Sequence, residues 1–112
     1  MTAEYNVYLT YIESYTFLKD ANARCSELGN ALRIAGIKKS KVDYVHMLID
    51  ENDHTIKLDI RKEFIEGHDA AIAYSDFLKS RMLKYMEIQS DRVYLEIERI
   101  MDVRIDCCIA AG

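Results

Sequence analysis

A chain of 112 residues suits one domain with a real hydrophobic core and is too short for two. Half of its residues are apolar and 30% are charged, the balance of a soluble globular protein, and no run approaches the roughly 18 apolar residues that span a bilayer. Fifteen basic against nineteen acidic residues argue against a nucleic-acid binder, and the N-terminus shows neither the basic nor the apolar region of a secretory signal peptide.

The opening stretch, MTAEYNVYLTYIESY, is ambiguous on its own. Its tyrosines recur at helical spacing, but Tyr5, Val7, Tyr8, Thr10, Tyr11 and Ile12 are residue types that suit a pleated sheet. Val7, Leu9 and Tyr11 also fall on one side of a period-2 pattern, so a strand over residues 5–12 is expected once the rest of the chain is considered.

Leu18, Ala21, Cys25, Leu28, Leu32 and Ala35 form the clearest helical stripe. It predicts a helix from about Ser14 or Thr16 to Ala35, with Gly36 as the glycine just past its end. Lys38, Lys39 and Lys41 then read as a solvated loop, since cations are favourable near a helix C-terminus. Next comes a strand over Tyr44 to Ile49, apolar on both faces and therefore expected inside a sheet rather than at its edge. The polar turn Asp50 to His54 leads into a half-exposed strand, with Ile56, Leu58 and Ile60 alternating against Lys57, Asp59 and Arg61. The pair reads as a hairpin.

Gly67 marks the next break. Ala71, Tyr74, Leu78, Met82 and Tyr85 predict a second helix to about Ile88, and Val93, Leu95 and Ile97 predict another strand. Val103 to Ile109 alternates more weakly and reads as a strand that could be added to a neighbouring subunit. The expected class is α+β: two β-α-β units forming a four-stranded mixed sheet, with both helices on one face.

The candidate reactive residues are few. Cys25, Cys107 and Cys108 make an odd count with no zinc spacing, and a reduced cytosolic chain explains them; oxidation across subunits is the alternative for the Cys107-Cys108 pair. His46, His54 and His68 lie on three different elements without ligand spacing, so no metal and no other cofactor is expected.

At EIQSDRVYLEI (Glu87 to Ile97) the sequence resembles the macrophage migration inhibitory factor family of the tautomerase superfamily. The matching residues are Ile88, Asp91, Arg92, Val93 and Tyr94, with Tyr74, Ser75, Leu78 and Gly67 upstream and YVHML (Tyr44 to Leu48) further back. The resemblance covers roughly residues 42–98. It implies a homotrimer with a small pocket between subunits, lined by Tyr94 from the neighbouring chain. Within that pattern Lys38 corresponds to the pocket lysine.

The departures from the family are informative. Family tautomerases use an N-terminal proline as a general acid–base group, and this chain has no proline. Its second residue is Thr2, whose amine would be the base if Met1 were removed. Glu96 stands where the family has an asparagine and would repel an acidic substrate. Thr55 to Leu58 replace the family's paired cysteines, so no thiol chemistry carries over.

These features predict a cytokine-like family member without tautomerase activity. Its partner would be a cell-surface receptor or a host protein of the same family, with no membrane or nucleic-acid binding. It would be cytoplasmic, or exported by the leaderless route that the resemblance implies. The alternatives are a keto–enol tautomerase using the Thr2 amine, with Tyr94 and Lys38 orienting the substrate, and an unrelated ferredoxin-like interaction module.

Overall fold

The computed structural model describes residues 2–37 and 42–101. The elements run β1 (Glu4–Ser14), α1 (Leu18–Ile34), β2 (Tyr44–Asp50), β3 (Thr55–Glu66), α2 (His68–Tyr85), a 3-10 turn (Ser90–Arg92) and β4 (Val93–Arg99). Each expected element in this range is present, including the opening strand. Lys38, Lys39 and Lys41, the tail from Val103 to Ile109, Cys107, Cys108 and Met1 lie outside the described residues.

The strands form one sheet in the order β2-β3-β1-β4. Every pairing is antiparallel: β1 with β3, β1 with β4, and β2 with β3. This corrects the expected mixed sheet. In a mixed sheet of two consecutive β-α-β units, the strands flanking each helix would lie side by side. Here β3 separates β1 from β2, and β1 separates β3 from β4. This is the split β-α-β, or ferredoxin-like, arrangement.

β2 is also placed differently from its expected position. Among the described residues it is an edge strand, not an interior one. Its apolar residues on both faces do not arise from burial on both faces, since Tyr44 and Leu48 are exposed.

Alternation within the strands divides the sheet into two sides. Val7, Leu9 and Tyr11 on β1, Ile56, Leu58 and Ile60 on β3, and Val93 on β4 are buried beneath the helices. α1 contributes Ala21, Leu28 and Leu32 to the same core, and α2 contributes Ala71, Leu78 and Met82. Each of the larger of these side chains stabilises the fold by about 1.5–3 kcal/mol through its removal from water.

Local chemistry fixes the element ends. Gly36 has φ +73° and its N–H donates to Arg33 O at 3.1 Å, while Ile37 N–H donates to Leu32 O at 3.1 Å. This is a Schellman ending, closed by fully buried Ile37. At the start of α2, Gly67 turns the chain with φ +90° and donates its N–H to Ala3 O at 2.9 Å. No helix among the described residues is long and apolar enough to cross a membrane.

Candidate functional site

Both helices cover one side of the sheet, so among the described residues the other side is open. Register places its side chains in rows across the strands. One row is Tyr44, Arg61, Tyr8 and Glu96, and the next is His46, Asp59, Thr10 and Tyr94. Leu48, Lys57 and Ile12 follow. Tyr94 is 58% exposed, Leu48 49% and Tyr44 40%. Large apolar side chains gathered on one face, rather than scattered, are the mark of an interaction surface.

The face is internally organised. The Arg61 guanidinium lies 4.8 Å from the Tyr44 ring centroid and bridges to Glu63 at 3.0 Å. Tyr44 stacks on His46 with centroids 5.9 Å apart. Tyr8 donates its hydroxyl proton to Glu98 at 3.3 Å and accepts from Asn6 at 3.2 Å, while Thr10 donates to Asp59 at 3.0 Å. Tyr8, Thr10, Tyr44, Asp59 and Arg61 line a shallow hollow of about 290 Å³, floored by the strands at Leu9 and Ile60.

A second polar cluster sits at the far end of β1, on the helix side. Arg24 of α1 donates to Glu13 from Nε at 2.8 Å and from Nη2 at 3.0 Å, and again from Nη2 to the Glu87 carbonyl at 3.0 Å. The Tyr11 hydroxyl donates to the same carboxylate. Burial pushes the Tyr11 phenol up to about 12, reinforced by its bond to Glu13. At Glu13 burial acts to raise the carboxyl, but hydrogen bonds from Arg24 and Tyr11 and the charges of Arg24 and Arg92 outweigh it and hold the group below its ordinary value. The cleft beside them, about 400 Å³, is lined by Glu87, Gln89 and Arg92 as well. Its central groups are committed to one another, as in a strut joining α1, β1 and the loop after α2.

The residues singled out from the sequence are dispersed. Tyr94 and Glu96 share the open face on β4. Thr2 lies beside Gly67 at the opposite end of β1, its Cγ2 3.5 Å from the position a Cβ at Gly67 would take. Tyr94 pairs with Thr10, six residues or about 20 Å along β1 from Glu4, and Thr2 precedes that end of the strand. Lys38 is outside the described residues. His46 is on β2, His54 in the β2–β3 turn and His68 at the start of α2, and the described residues gather no metal-binding group of His, Cys, Asp or Glu. Cys25 is half-buried against the core, and burial pushes its thiol up, reinforced by the charge of Glu13.

Sequence reasoning missed Tyr8, Tyr44 and Arg61 as one group, and also the Glu13–Arg24 pair. The even-numbered positions of β1 carried a signal for the first group: Tyr8, Thr10 and Ile12 alternate with the buried set. No family model matches this chain, and neither does any curated protein.

Proposed function

We propose that the chain is a non-catalytic interaction domain that docks a partner protein on the helix-free face of its sheet. The carrying observation is the concentration of exposed Tyr44, Leu48 and Tyr94 beside Tyr8 and the Arg61–Tyr44 pair. Aromatic and arginine side chains of this kind are typical binding anchors. The alternating charges of Lys57, Asp59, Arg61, Glu96 and Glu98 on the same face would fix the register of the partner.

The cytokine-like role implied by the family resemblance is the special case in which that partner is a cell-surface receptor. Its support is the run from Ile88 to Tyr94, since the antiparallel strand order does not reproduce the mixed sheet. A tautomerase using the Thr2 amine would have to draw Tyr94 from a neighbouring subunit, since within one chain Thr2 and Tyr94 lie at opposite ends of β1.

The test is affinity capture from cells that make the protein, with phenylpyruvate tautomerisation measured in parallel. A Tyr8→Ser/Tyr94→Ser variant is expected to lose a partner retained by the wild type, with turnover at background in both. Turnover abolished by blocking the N-terminus would overturn the non-catalytic reading.

A further inference from the structure

β2 is an edge strand with the composition of an interior one. It reads Tyr-Val-His-Met-Leu-Ile before Asp50, without lysine, arginine, glutamate or proline. Exposed edges are usually guarded by charge, proline or bulges, because unpaired N–H and C=O groups are a template for further pairing. The opposite edge, β4, follows that rule with Glu96, Glu98 and Arg99.

The helix side of β2 is also undercovered. Val45, Met47 and Ile49 remain partly exposed, whereas their pairing partners Ile60, Leu58 and Ile56 on β3 are at most 1% exposed. On the open side Tyr44 and Leu48 stand out. Among the described residues, the strand therefore offers apolar side chains on both sides of an unguarded edge.

We infer that β2 pairs antiparallel with β2 of a second copy, joining the two sheets into one continuous sheet. A two-fold centred on Met47 lays Val45 against the partner's Ile49, so the half-exposed apolar residues of each copy form one row. The partner's Asp50 then falls opposite Tyr44 at both ends, beside the ring that carries the Arg61 guanidinium 4.8 Å from its centroid, with Arg61 also bridged to Glu63. Asp43, just outside the strand, is already offset by Lys62 at 3.7 Å. The edge is thus complementary to itself in apolarity, and the charges nearest its ends on the open side, Asp50 and Arg61, are of opposite sign.

Such pairing is isologous and closes: it uses both β2 edges and leaves the charged β4 edges outside, so it gives a dimer rather than a fibre. The dimer takes the place of the trimer implied by the family resemblance. The axis stands perpendicular to the sheet, which puts both open faces on the same side. The inference goes beyond the docking role and does not depend on it.

Sedimentation equilibrium on the full chain tests it. A species of twice the 13.0 kDa chain mass is expected. Leu48→Lys places like charges near the two-fold and should weaken self-association by about tenfold or more, with the circular dichroism spectrum unchanged. Tyr94→Lys, on the same face at the other edge, should leave association unchanged. If Leu48→Lys unfolds, Tyr44→Asp supplies the same reading, because it sets a carboxylate opposite the partner's Asp50.

A wild-type monomer at ~100 µM would overturn the inference, that concentration being well above the Kd of a specific dimer. So would a dimer indifferent to these β2 substitutions, or one lost simply on removing residues 102–112. Failure here leaves the docking role of Tyr8 and Tyr94 intact, and the reverse also holds.

Discussion

Arg24 grips Glu13 through two parallel hydrogen bonds, Nε to Oε2 at 2.8 Å and Nη2 to Oε1 at 3.0 Å. Their side chains are 24% and 20% exposed, so the pair is neither dry nor freely solvated. Paired arginine–carboxylate bonds of this geometry are among the strongest that side chains make. The link joins α1 to the end of β1, and the Glu87 carbonyl ties in the loop after α2.

Arg24→Ala should therefore destabilise the fold by about 2 kcal/mol, chiefly by leaving the Glu13 carboxylate half-buried without its partner. Urea denaturation measures this. Arg24→Lys should recover only part of the loss, because an ammonium cannot reproduce the two-pronged contact.

The same cluster sets a pH dependence at both ends of the scale. The Glu13 carboxyl is held below its ordinary value of 4.5, so the unfolded chain takes up that proton first as pH falls. Its contribution is complete above that value and is lost as pH drops through the folded-state value. The Tyr11 phenol is raised from 10.0 to about 12, so its contribution is complete below 10.0 and is lost as pH rises toward 12. Glu13→Gln should flatten the acid limb of the urea midpoint, and Tyr11→Phe the alkaline limb.

Much of the fold was legible in the sequence because helix and strand periodicities are local. The stripe from Leu18 to Ala35, the glycine ending at Gly36 and the turn at Asp50 to His54 depend on neighbours in the chain, and each appears where its residues indicated. Strand order depends on pairings between distant segments, such as Tyr8 with Arg61 and Tyr8 with Glu96. Nothing local distinguishes that order from one in which each helix joins adjacent strands. β2 misled for a related reason: apolar residues on both faces signal that both faces favour covering, not that the strand's own chain covers them.

The open face was legible only in part. Tyr94 and Glu96 drew attention, but Tyr8, Tyr44 and Arg61 become one group only after β3 is inserted between β2 and β1.

One backbone feature carries its own prediction. Asn6 of β1 stands against both Glu63 and Phe64 of β3, since Tyr5 pairs with Ile65 and Val7 with Lys62. At this bulge Phe64 adopts φ +57°, is 64% exposed, and donates its N–H to Asn6 Oδ1 at 3.2 Å. A bulky residue is strained in that region. Phe64→Gly should raise stability by about 0.5–1 kcal/mol, while Phe64→Ala, which keeps a Cβ, should not. Thermal unfolding of the two variants gives the comparison.

Ser75 on α2 is 5% exposed, and its Oγ has no hydrogen-bond partner among the described residues. Burying an unpaired hydroxyl is unfavourable, so Ser75→Ala should stabilise the protein by about 1 kcal/mol. A higher urea midpoint with an unchanged slope would register it.

The central claim, that the helix-free face is the docking surface, is tested most directly by hydroxyl-radical footprinting of the captured complex against the free protein. The account predicts protection of Tyr8 and Tyr94, with the exposed α2 residues Ile72 and Leu83 as reactive as before. Protection of Ile72 and Leu83, with Tyr8 and Tyr94 unchanged, would contradict it.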